Sequence, residues 1–97
     1  ASGADGESAA PRLWLAPPSP NPSHGDIDLR FSTPTRGPAR LAIYDVMGRL
    51  VETGVDGVVE PGEHVQRLRL NGASAGIYYC TLWTPGRTLR EAFVVMR

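Results

Sequence analysis

Asp26 and Asp28 flank Ile27 in a run that alternates polar and apolar residues, with Asn21 just upstream. Side chains two apart on a strand share a face, so the two carboxylates could together hold a hard cation such as Ca²⁺. No glycine-turned ligand loop surrounds them, and a solvated strand face backed by Ile27 and Leu29 accounts for the pattern. His24 and His64 lie forty residues apart, neither with a local partner at metal-ligand spacing. Serine, histidine and aspartate all occur, but there is no Gly-x-Ser-x-Gly elbow and no glycine-rich phosphate loop. Ser74, in Ala73-Ser74-Ala75-Gly76, fits a turn. Cys80 is the only cysteine, which excludes an intrachain disulfide, and its apolar run fits a buried small hydrophobe. The expectation is a protein without enzymatic activity, metal, cofactor or small-molecule substrate.

The arginines are spread over several strand-like runs and read as an interspersed charged surface. Arg49 differs, because its place beside Asp45 suggests an ion pair, or a fork bonding carbonyls across a hairpin, and a candidate receptor contact. Tyr44, Tyr78, Tyr79 and Trp83 could form an aromatic patch for carbohydrate, but packing between sheets explains them more simply.

Ten acidic and ten basic residues cancel, and every basic residue is arginine. That balance removes the electrostatic case for nucleic acid or an anionic membrane surface. No apolar run approaches the length of a membrane helix. With no initiator methionine and no signal peptide, Ala1 is expected to open a processed product or an excised fragment. The 97 residues make one small domain.

Residues 1–12 are small, polar and aperiodic, as in a linker or tail. Leu13-Trp14-Leu15 form an apolar clip, and an aromatic there is expected to dock on its own domain or on a neighbour. The prolines from Pro17 to Pro22 force extended chain. Residues 1–19 are therefore expected to be a flexible or docking tail, and 20–97 the folded domain. From Gly25 the pattern is all-β. Ile27, Leu29 and Phe31 alternate with polar residues, and Ala39, Leu41 and Ile43 alternate with Arg40, Ala42 and Tyr44. Asp45 is placed to bond amides beyond the corner Val46-Met47-Gly48, where Gly48 can take the left-handed conformation of a tight turn. Leu50–Val55 follows, then turns at Asp56-Gly57 and Pro61-Gly62. A strand through Leu68 and Leu70, a turn at Asn71-Gly72, and strands at Gly76–Trp83 and Leu89–Met96 complete the chain. About seven short strands, with a turn signal roughly every eight to twelve residues, predict an immunoglobulin-like antiparallel β-sandwich with an extended N-terminal tail.

Five stretches occur in order: PNPSHGDIDLRFSTP from Pro20, LAIYDVMGRLVETGV from Leu41, PGEHVQRL from Pro61, ASAGIYYCTL from Ala73 and EAFVVMR from Glu91. Together they resemble the immunoglobulin-like C-terminal domain of type IX secretion sorting modules, itself similar to the immunoglobulin-like domain of flagellar hook-capping proteins. The resemblance carries over to the opener Pro20, Asn21, Pro22 and Gly25, and to the corner Tyr44, Asp45, Gly48 and Arg49. It also carries over to Gly62 and His64 and to the strand start Gly76, Ile77 and Tyr78. It implies packing and hydrogen bonding for His64. Two stretches depart from the pattern: Arg67-Leu68-Arg69-Leu70, where a polar turn is usual, and Arg90-Glu91-Ala92-Phe93, which lacks the usual lysine.

What the resemblance implies is a non-catalytic module at the end of a larger bacterial protein, directing it through the outer membrane to the cell surface or medium. Its partner would be the secretion and sorting machinery. An alternative is a structural protomer of an extracellular filament, in which Leu13, Trp14 and Leu15 add a strand to a neighbouring copy.

Overall fold

In the computed structural model the described residues are 11–96. Those assigned above to the start of the tail, 1–10, lie outside them. The described residues form seven strands and no helix. They are β1 (Trp14–Leu15), β2 (Asp26–Thr33), β3 (Gly37–Asp45), β4 (Leu50–Val59), β5 (Gly62–Arg69), β6 (Gly76–Thr84) and β7 (Arg87–Val95). A three-stranded antiparallel sheet runs β1-β2-β5, and a four-stranded one runs β4-β3-β6-β7.

The alternation read from the sequence decides which side chains meet between the sheets. Ile27, Leu29 and Phe31 of β2 face Leu41 and Ile43 of β3, Cys80 and Leu82 of β6, and Phe93 and Val95 of β7, all within one buried cluster. This is an immunoglobulin-like sandwich.

Three local features were not evident from short-range signals. Asp56-Gly57 is not a turn: Asp56 pairs with Arg40 and Gly57 with Ala39, and β4 continues to Val59. An Asp-Gly pair closes a hairpin when the segments on either side can pair with each other. Here both sides pair with β3, whose partner residues run back to Gly37.

Second, β4 carries two bulges. Leu41 opposes Val55 while Ala42 opposes Thr53, and Ile43 opposes Glu52 while Tyr44 opposes Leu50, leaving Gly54 and Val51 as the extra residues. Bulges twist an edge strand away from further pairing. A Cβ on Gly54 would sit 3.2 Å from Gln66 Cγ and 3.4 Å from Leu68 Cδ1. A side chain at this position would press on the Gln66 and Leu68 side chains, where the edges of the two sheets approach.

Third, the sheet begins before the proline run. Trp14 pairs with Ser32 and Leu15 with Phe31, and the Ala16 amide donates to the Arg30 carbonyl at 2.9 Å. Ser19 and Asp28 exchange backbone bonds of 3.2 and 2.7 Å. The Arg30 guanidinium lies 5.7 Å from the Trp14 ring centroid. The clip thus docks on its own domain. The strand that the filament alternative would donate to a neighbour is taken up in its own sheet, and nothing in the fold supports that alternative.

Beyond Ser19 the chain crosses to the other sheet through cis bonds at Ser19-Pro20 and Asn21-Pro22. Ser23 then pairs in parallel with Val95, at the free edge of β7.

Candidate functional site

The corner between β3 and β4 is built around one carboxylate. Asp45 Oδ1 accepts from the amides of Met47 and Arg49, both at 2.9 Å, and Asp45 Oδ2 accepts from Arg49 Nε at 2.9 Å. The Asp45 amide donates to the Arg49 carbonyl at 3.0 Å, and the Gly48 amide to the Asp45 carbonyl at 3.0 Å. Gly48 has φ of 81°, a conformation that a side chain would strain. Of the two structural roles considered for Arg49, the ion pair is the one found. Tyr44, on the outer face, accepts a 3.1 Å bond on its hydroxyl from Arg40 Nη1.

The Arg49 amide above all, with the guanidinium and the Met47 amide, holds the Asp45 carboxyl below its ordinary 3.8 despite an opposing desolvation effect. A depressed carboxylate stabilises the fold above its unfolded pKa and loses that contribution as pH falls through the folded value. Asp45→Asn should therefore be less stable than the parent at neutral pH, with the two converging as pH drops below 3.8. Urea midpoints measured in steps across that range check it; a gap that stays constant into acid would refute it.

Across the sheet, Asp45 pairs with Tyr78, and Tyr78 with Phe93, whose ring lies 5.9 Å away. The Tyr78 hydroxyl donates to the Ser74 carbonyl at 2.6 Å. Gly76 pairs with Val95, and Val95 with Ser23 of the opener. The opener clasps the end of β7. The Ser23 amide donates to the Val94 carbonyl and the Met96 amide to the Ser23 carbonyl, each at 2.8 Å, while the Val94 amide donates to Asn21 Oδ1 at 3.0 Å. Ser23 is fully buried, and its Oγ accepts from the Gly25 amide at 3.0 Å and donates to the Asp26 carbonyl at 2.9 Å. Residues from Asn21 to Val95 thus meet at one end of the sandwich. A shallow depression of about 230 Å³ lies there, between the corner and residues 74–78.

Gly62 and His64 sit towards the opposite end, paired with Thr33 and Phe31. His64 stacks on Phe31 at 5.1 Å between centroids, and its Nε2 lies 2.6 Å from the Glu60 carbonyl. Sequence reading missed Ser23. A small polar residue between Pro22 and His24 gives no signal of burial.

The other chemistry-bearing residues are dispersed or engaged. Asp28 takes a two-pronged bond from Arg67, at 2.7 and 3.1 Å, which lowers its pKa. Burial, then the charge of Glu91, pushes the Cys80 thiol up to about 12, so it stays protonated and unreactive at neutral pH. Among the described residues no group of three or more His, Cys, Asp or Glu side chains is gathered to hold a metal ion.

An immunoglobulin-like sandwich with its terminal strand clasped by a Pro-Asn-Pro opener is the class that fold and site define. The family model of the secretion system C-terminal sorting domain matches residues 19–96, and the chain belongs to that family. Among solved structures, the chain resembles PorZ, an essential bacterial surface component of the type IX secretion system of Porphyromonas gingivalis. The TM-score is 0.56 at 18% identity, over 88% of this chain and 11% of that one. At that identity the likeness concerns the fold alone. No curated protein matches the chain. These matches support the sorting half of the resemblance; none of them supports the hook-capping half.

Proposed function

We propose that this domain is a non-catalytic address read by type IX secretion machinery, which carries the attached protein across the outer membrane to the cell surface or the medium. The observation that carries this reading is the family match over 19–96, which takes in the opener, the corner and the whole of β7. The chemistry is consistent with it: the carboxylates of Asp28 and Asp45 are engaged in ion pairs, and the thiol is buried.

The test is to append the whole chain to a periplasmic reporter in a bacterium that has this machinery. The reporter should appear outside the cell, and deletion of β7 should trap it in the periplasm. Export that is unchanged by the deletion would sink the reading. A fusion with Val65→Asp, at an exposed position on β5 outside the corner, serves as the folded reference, its folding checked by urea midpoint.

A further inference from the structure

Exposed apolar side chains are ordinary when scattered singly, and informative when they gather. Val58, Val65 and Trp83 are scattered. Val46, Met47, Leu50, Ile77, Val94 and Met96 are all exposed at the corner end, with Met47 at 76%. Ile77 and Val94 are direct partners across β6 and β7. Val46 and Met47 line the same depression as Ile77. This apolar surface therefore continues from the hairpin tip to the terminal strand.

Two charged residues, Asp45 and Arg49, line the depression. Both oxygens of Asp45 are engaged within the hairpin, and its side chain is 19% exposed. Arg49 spends only Nε on Asp45, and its side chain is 77% exposed. Its two terminal nitrogens have no hydrogen-bond partner among the described residues. Asp45 is the only carboxylate among the residues lining the depression.

We infer that this corner end is a docking surface for a protein partner that offers an apolar cleft with a carboxylate facing Arg49. The inference rests on the sorting reading and deepens it by naming the surface that is read. Charge selects the partner. A second copy meeting the same patch would bring Arg49 towards Arg49, with no free carboxylate in the depression to receive it. An anionic lipid surface is recognised by a cluster of cations, and the depression carries a single one. Aromatic residues, methionine and arginine are enriched in protein interfaces, and flexible methionine adapts to varied surfaces.

The experiment uses the whole chain fused to an exported reporter, with Met47→Asp, Ile77→Asp and Arg49→Gln at the corner end and Val65→Asp as an apolar control on β5, its exposure lying between those of Ile77 and Met47. Urea midpoints establish that each variant folds, and a variant that does not is replaced by Met47→Gln. Met47→Asp is expected to lower the exported fraction about tenfold, equivalent to about 1.4 kcal/mol of binding. Val65→Asp should export as the parent does. Equal export by Met47→Asp and Val65→Asp overturns the inference while leaving the sorting reading intact. A parent fusion that stays in the periplasm overturns the sorting reading itself, and this inference with it. Two further outcomes would reassign the surface and overturn the inference: a dimer in sedimentation that Met47→Asp dissociates, or flotation with phosphatidylserine vesicles that Met47→Asp abolishes.

Discussion

Phe93→Ala is expected to destabilise the domain by about 3–5 kcal/mol, read as a lowered urea midpoint with an unchanged slope. Phe93 is 1% exposed and sits on the terminal strand, against Tyr78 and within the buried cluster. Removing its ring takes away both transfer free energy and the contacts that a rigid neighbourhood cannot restore. A small domain has on the order of 5–15 kcal/mol in total, so this single change removes a large share. Phe93→Leu keeps most of the volume and should cost less than about 1.5 kcal/mol. If both substitutions cost the same, ring packing is not what holds β7 in place. Because β7 also carries Val94 and the clasp, a loosened strand would also reduce export.

The second large effect is expected at Ser23. Ser23→Ala removes a side chain that bonds the Gly25 amide and the Asp26 carbonyl in a buried crossing between sheets. Leaving buried backbone groups unpaired costs about 1–3 kcal/mol, whereas the net worth of a hydrogen bond replaced by water is nearer 1 kcal/mol. Asn21→Ala is the informative comparison. Asn21 also serves one backbone amide, that of Val94, but at an exposed position where water can substitute. The expected order is thus Ser23→Ala well below Asn21→Ala in thermal midpoint, by several degrees for a domain of this size. Equal midpoints would show that burial at the crossing does not set the cost.

These two sites mark the boundary between what was and was not legible. The strand that carries Phe93 could be read from the chain, although Ala92 and Val94 beside it are apolar too and leave its buried face open. The burial of Ser23 could not be read, because it depends on a strand more than seventy residues away. The motif residues were each visible in the chain, but their gathering was not. Register across β3, β6 and β7 brings Asp45, Tyr78 and Phe93 into one row, while Gly62 and His64 go towards the other end.

By itself the sequence determined the strand alternation and the tight corner. Period-two patterning, the short reach of an aspartate side chain and the freedom of glycine act within a few residues. Only the tertiary structure decided that Asp56-Gly57 stays extended, that Trp14 and Leu15 complete their own sheet, and that the opener locks the last strand. Each of those outcomes depends on which distant strand offers paired backbone and buried area. A local pattern can supply strands, but their partners are chosen by the packing of the whole chain.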